Sequence, residues 1–214
     1  MLVCFEGIDG AGKSTLMKNV KEKLRDGAVV MTRQPGGTPL GQELRQLVLH
    51  SDHTISTNAE MLMFAADAAQ LMEEVVRPAQ EEGKLILCDR GWMSNVIYQT
   101  AGRSNLLAEG IYDRVFITHP PALIILLQLP LEEAQRRMNL DTPDRIESAG
   151  QGFFRRIFRA YEAVGDTWKG VRVEKFDATL PPVALADQVT ALIQKIRLDR
   201  QVITLIGDHI RNAQ

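Results

Sequence analysis

Cysteine is nearly missing from this 214-residue chain, which holds only Cys4 and Cys88. Both lie inside apolar runs, so they read as reduced core residues of an intracellular protein rather than as a disulfide framework. A marked excess of either charge is missing as well. Lys and Arg number 25 against 27 Asp and Glu, a net charge of −2. That balance gives no general attraction for nucleic acid and sets aside a DNA-coating or translocating role. No uninterrupted apolar run approaches membrane-spanning length, and no basic leader precedes an apolar segment. No membrane partner is expected, and the expected compartment is the cytoplasm. His50, His53, His119 and His209 show no metal-ligand spacing. There is no internal repeat, low-complexity tract or evident linker, and one domain is expected over 1–214.

What is present begins at the first turn. Gly7-Ile8-Asp9-Gly10-Ala11-Gly12-Lys13-Ser14 fits G-x-x-x-x-G-K-[ST] and follows the apolar run Leu2–Phe5. Strand, glycine-rich turn and helix in that order make a phosphate cradle, in which backbone N–H groups and a helix N-terminus face the anion. Gly7 to Thr15 form the expected ATP site, with Lys13 reaching the outer phosphates and the Ser14 hydroxyl on Mg²⁺. Further apolar runs at Ala28–Met31, Leu85–Cys88, Ala122–Leu129 and Val171–Phe176 read as strands separated by helices, which predicts a mostly parallel sheet covered on both faces. Thr38-Pro39 and the Thr57-x-x-Glu60 capping box mark helix starts. The chain lacks the Asn-Lys-x-Asp base-reading motif of a GTPase switch.

The helix expected over 58–77 is apolar around most of its circumference. Met61, Phe64, Ala68, Leu71 and Val75 line one face, and Leu62, Ala65, Ala69, Met72 and Val76 the next. Glu60, Asp67, Gln70 and Glu74 are left as the polar third. Such a helix must be buried on two sides, and a homodimer contact is the expected second partner, the alternative being a purely internal helix in a thick layer.

Two more segments carry chemistry. Thr32–Gly41 follows the second strand and so lies at the carboxyl edge of the sheet, where ligands bind in open α/β folds. Leu85–Cys88 runs into Asp89-Arg90, an acid suited to the Mg²⁺ shell beside a guanidinium suited to phosphate oxygens.

With these stations in order, the chain resembles the thymidylate kinases of the nucleoside monophosphate kinase superfamily. The likeness rests on Phe5–Thr15, Thr32–Thr38, Phe64–Asp67, Asp89-Arg90, Ser94–Gln99, Asp144–Glu147 and Phe176–Thr179. It implies a three-layer α/β P-loop kinase fold with a five-stranded parallel sheet, order 2-3-1-4-5, which sets Cys4 and Cys88 on adjacent strands. A small lid at about 136–147 completes it. It also implies transfer of a phosphoryl group from ATP to dTMP, giving dTDP and ADP, with Mg²⁺. By resemblance Asp9 approaches the sugar 3′-hydroxyl, Arg33 and Arg90 grip the monophosphate, and Phe64 stacks on the base. Asn95 and Gln99 lie at the base's polar edge, and Tyr98 crowds the 2′ position. Bacterial-type members lacking a P-loop arginine supply one from the lid, which makes Arg136, Arg137 and Arg145 the candidates here. Lys13 and Arg90 complete the expected catalytic set.

The departures are specific. Gln34 stands where the family usually has Glu, Gly91-Trp92 where an aromatic follows the Asp-Arg pair, and Ala68 where an arginine helps read the thymine carbonyl. The last opens an alternative, a kinase of broadened base range. A non-catalytic nucleotide-binding module is the remaining one, opposed by intact Lys13, Ser14, Asp89 and Arg90. Residues 198–214 run past the resemblance, and Leu198, Val202, Leu205 and Ile206 predict a helical extension with an apolar stripe.

Overall fold

The computed structural model describes residues 1–25, 28–137 and 144–212, with side chains as far as 202. The middle of the lid segment, 138–143, and the side chains of Leu205, Ile206 and His209 lie outside the described residues.

Three apolar strands form the middle of the sheet: β1 (Leu2–Glu6), β3 (Leu85–Asp89) and β4 (Leu123–Gln128). β1 is buried along its whole length and pairs in parallel with both of the others. Strands covered on both faces read as continuous apolar runs, as these do. Cys4 pairs in register with Cys88, and both thiols are free and buried. The outer strands β2 (Val29–Arg33) and β6 (Val171–Asp177) alternate buried and exposed residues. The sheet order is β2-β3-β1-β4-β6, with one further strand at the β6 edge.

That order corrects the five-stranded expectation. A sixth strand, β5 (Thr167–Trp168), pairs antiparallel with β6 at the edge. Two residues are too few to carry a hydrophobic period, so nothing in the sequence announced it. The other five strands fall in the expected arrangement.

The flanking helices begin with α1 (Lys13–Leu24), directly after the glycine turn. Gly10, at φ 80°, packs so closely that an added Cβ would lie 2.5 Å from the Ala134 carbonyl oxygen. Only glycine fits there, and the contact ties the P-loop to α7 (Leu131–Arg137). Next comes α2 (Pro39–His50), capped as expected by Thr38, whose Oγ1 accepts from Gly41 N at 2.9 Å. The long helix is α3 (Thr57–Leu71), continued by a π-helical turn at Met72–Val76 and by α4 (Arg77–Glu81). Its N-cap is Ser56 rather than Thr57, and Glu60 is not a capping partner. After β3 come α5 (Trp92–Ile97), a second π turn at Tyr98–Gly102 and α6 (Ala108–Phe116). The chain then reaches α8 (Gln151–Glu162) and α9 (Pro182–Asn212). α9 carries the expected C-terminal extension as unbroken helix, with Leu198 and Val202 exposed.

Two sequence readings of α3 need correction. Glu60 and Asp67, assigned to its polar face, are 1% and 2% exposed, whereas Leu62, Ala66 and Ala69 face solvent. A helical period reports where polar residues fall but not which of them find buried partners.

Candidate active site

The carboxyl ends of β1, β2 and β3 deliver the P-loop, the Thr32–Gly41 loop and Asp89-Arg90 to one sheet edge. Two adjoining clefts open there. One is walled by Gly10, Gly12, Lys13, Ser14, Thr15, Arg33 and Asp89. The other lies between Pro35, Leu49, Phe64, Asn95, Tyr98, Gln99 and Ile146. Asp9, Gln34, Arg45 and Arg90 line both.

On the first side, Lys13 Nζ donates to the carbonyl oxygens of Gly7 and Ile8 at 3.2 and 2.9 Å. Burial, reinforced by Arg90, lowers its pKa to about 8. Ser14 Oγ donates to Asp89 Oδ2 at 2.6 Å, so the hydroxyl and the carboxylate share one point at the mouth of the P-loop. Among the described residues there is no group of three or more His, Cys, Asp or Glu suited to a metal ion.

The corner between the clefts is Arg90. It sits at φ 68°, a left-handed conformation that a bulky residue adopts only under constraint. The constraint is visible. Nη2 donates to Asp9 Oδ1 at 2.5 Å, and Nη1 to Gly7 O and Ser94 Oγ, each at 3.0 Å. The guanidinium also lies 5.0 Å from the centre of the Tyr98 ring. Burial would raise the Asp9 carboxyl, but the charges of Arg90 and Lys13 overcome it and hold the group well below the usual carboxylate range. Tyr98 OH donates to the other Asp9 oxygen at 2.9 Å. Behind Arg90, the buried Glu6 accepts from Ser94 Oγ and Ser94 N, and Tyr161 OH donates to it at 3.3 Å. Burial raises its pKa.

The floor of the second cleft rests on Glu60. Gln99 Nε2 donates to its Oε1 at 2.9 Å, Arg103 makes two bonds at 2.9 and 3.1 Å, and Arg145 Nη2 reaches Oε2 at 2.5 Å. Burial opposes ionisation of Glu60, yet the hydrogen bonds from Arg103 and Gln99 keep its pKa lowered. The π turn brings the consecutive residues Tyr98 and Gln99 into one cleft. Such turns recur at functional sites.

Of the substrate residues expected from sequence, Asp9, Phe64, Arg90, Asn95, Tyr98 and Gln99 share the second cleft, and Arg33 lies with the P-loop. The lid arginines are placed differently. Arg145 is engaged with Glu60 and donates from Nε to Val48 O at 2.7 Å. Arg136 and Arg137 both bond Glu133, on the helix whose Ala134 abuts Gly10. None of the three lines either cleft.

The sequence reading missed Arg45, which lines both clefts and donates from Nη1 to Pro35 O at 3.1 Å. Its one signal was a cation about two turns past the Thr38 cap, on a helix springing from a ligand-binding loop. Trp92 is core. It stacks on Phe116 with centroids 5.7 Å apart, while a Cβ at Gly91 would meet Cys4 Sγ at 2.8 Å. The glycine therefore lets the chain pass close over β1. Ala68 is fully buried and lines neither cleft. Among the described residues no helix is long and apolar enough to cross a membrane.

The chain is similar to known proteins along most of its length. The family model described as thymidylate kinase matches residues 5–187. A thymidylate kinase of Deinococcus radiodurans is 37% identical over 200 residues, 91% of this chain and 97% of that one. One of Chlorobaculum parvum is 34% identical over 215 residues, covering 92% and 97%. The crystal structure of thymidylate kinase from Ehrlichia chaffeensis has the same fold, with a TM-score of 0.72 at 24% identity over 91% of this chain and 98% of that one. From the P-loop to the start of α9, the chain belongs to the thymidylate kinase family.

Proposed function

We propose that this protein transfers the γ-phosphoryl group of ATP to dTMP, giving ADP and dTDP in deoxynucleotide synthesis. The observation that carries this reading is the shared wall. Asp9, Gln34, Arg45 and Arg90 line both the P-loop cleft and the aromatic cleft beside it. Donor and acceptor phosphates bound in the two clefts meet at that wall, so the reaction becomes one of positioning and charge neutralisation.

The acceptor is an oxygen of an already anionic phosphate monoester, and no general base is required. Lys13 supplies charge to the donor's outer phosphates, while Arg33, Arg45 and Arg90 surround the acceptor phosphate. Asp9, ionised and fixed by Arg90 and Tyr98, takes the sugar 3′-hydroxyl as donor. Tyr98 fills the 2′ position and Phe64 offers its face to the base. The Ser14–Asp89 pair fits a hard divalent cation, and Mg²⁺ held there would neutralise phosphate charge. Arg136 or Arg137, on the helix that touches the P-loop through Ala134, would be the lid cation. Arg145 acts instead as a strut between the lid's end and Glu60. One domain over 1–214, a cytoplasmic setting and a homodimer through α3 complete the proposal.

The test is ADP release measured with each deoxynucleoside monophosphate in turn. Turnover with dTMP well above that with dCMP and dGMP is expected. Equal rates with all of them would replace this reading by a broad-range kinase, and no turnover with any would end it.

A further inference from the structure

The base site raises a question that the wall does not answer: without an arginine at position 68, what distinguishes thymine from cytosine? The two bases differ at N3 and C4. Thymine presents N3–H as a donor, whereas cytosine presents N3 as an acceptor. A carboxamide facing N3 selects one or the other according to which of its ends it shows, and a free carboxamide shows either.

Two carboxamides besides Gln34 line the cleft, Gln99, whose Nε2 is held by Glu60, and Asn95, and neither is free. Asn95 Nδ2 donates to Gln34 Oε1 at 3.0 Å. Gln34 is itself fixed. Its backbone N–H donates to Asp89 O at 2.9 Å, at the junction of β2 and β3, and the residue is 4% exposed. Its own Nε2 is buried without an acceptor. Leaving a donor unpartnered is unfavourable, and such atoms call for an explanation. Here the amide is oriented so that Oε1 meets Asn95, although its other end then goes unsatisfied. With Nδ2 committed to Gln34, Oδ1 is the end of Asn95 left to meet a ligand in the cleft that both residues line.

We infer that Gln34 is a specificity-determining positioning residue: by holding Nδ2 of Asn95 it presents an acceptor to the base, which admits the N3–H of thymine and opposes the bare N3 of cytosine. This rests on the dTMP kinase reading and deepens it, since discrimination lost with the arginine at 68 is supplied from the opposite loop. Glutamine at 34 has the acceptor needed for this role, and so would glutamate. A side chain without an acceptor does not.

The experiment compares kcat/KM for dTMP, dUMP and dCMP across three changes. Gln34→Met keeps length and removes the acceptor, so the dTMP:dCMP ratio is expected to fall about tenfold or more. The dTMP:dUMP ratio should hold, because the 5-methyl group is not read by this pair. Gln34→Glu restores the acceptor and is expected to retain the dTMP:dCMP ratio even where its charge beside the acceptor phosphate raises KM. In an Asn95→Leu background, Gln34→Met should lower the ratio no further, within the about twofold scatter of independent changes. An unchanged ratio in Gln34→Met overturns the inference. So does a loss in Gln34→Glu equal to that in Gln34→Met, or penalties that multiply in the double variant. Should Gln34→Met fail to fold, Gln34→Glu compared with Asn95→Leu decides alone, since an equal loss in both sinks the idea. Loss of all turnover in the wild-type protein would instead retire the kinase reading, and the two failures are thereby distinct.

Discussion

At the residue scale, buried charge in this protein is set by its neighbours, and two groups make that measurable. Lys13 has its pKa lowered to about 8 by burial and by Arg90. The charged form needed to meet a triphosphate is therefore lost in the free enzyme as pH rises through about 8, whereas bound phosphate restores it. The pH profile of kcat/KM for ATP, which reports free-enzyme ionisations, should fall above pH 8 while kcat at saturating ATP declines later. A kcat/KM that stays flat to pH 9.5 would contradict the assignment. Asp67 is the opposite case. Its Oδ1 accepts from Gly36 N at 2.8 Å, but burial raises its pKa to about 6. A carboxyl whose folded pKa lies above its unfolded value weakens the fold once it must ionise, so the penalty is complete above about pH 6 and vanishes as pH falls to the unfolded value near 4. Asp67→Asn keeps an acceptor for Gly36 and removes the charge. Urea midpoints should show the variant more stable at pH 8 by about 1–3 kcal/mol, with the advantage gone near pH 4.

At the scale of elements, Glu60 joins four pieces of the chain. It holds Gln99 and Arg103 from the turn after α5, and Arg145 from the end of the lid, which in turn bonds Val48 O and Leu49 O at the end of α2. Glu60→Gln leaves two guanidinium groups facing a neutral amide, and should lower stability by about 3 kcal/mol at neutral pH. Because the Glu60 pKa is lowered, the difference from the parent should shrink in acid as the native carboxylate is protonated. Equal urea midpoints at pH 7 would show that the pair contributes nothing. This hub also marks the limit of what sequence could reveal. The P-loop, Asp89-Arg90 and the Thr38 cap were legible because each is local, with strand, turn and cap following within a few residues. Glu60 fell on a polar stripe by period, and its inward turn depends on cations 43 and 85 positions away. Arg45 and the Gln34–Asn95 bond were hidden for the same reason, since each requires the curl of the Thr32–Gly41 loop over the cleft.

At the scale of the whole molecule, the face left over on α3 argues for a second copy of the chain. Its inner side is spent on the core through Met61, Ala65, Ala68 and Leu71. Its outer side exposes Leu62 at 53%, followed at helical spacing by Ala66 and Ala69. Small residues after a leucine let two helices approach closely. The patch extends beyond the helix: Asn105 Nδ2 donates to Asn58 Oδ1 at 3.0 Å, tying to the start of α3 the loop that carries Leu106, 95% exposed, and Leu107. A two-fold axis on α3 would bury these groups against their own copies, as an isologous contact requires. It would also brace the helix that positions Phe64 and Glu60 from the side away from the cleft. Ala66→Arg places a charge at the centre of that contact without touching the core. Sedimentation velocity should find the parent as a dimer and the variant as a folded monomer, with an unchanged far-ultraviolet circular dichroism spectrum. If the site depends on that bracing, KM for dTMP should rise in the monomer more than KM for ATP, whose P-loop lies across the sheet edge from α3. A variant that still sediments as a dimer would move the interface elsewhere, and a parent that sediments as a monomer would remove it.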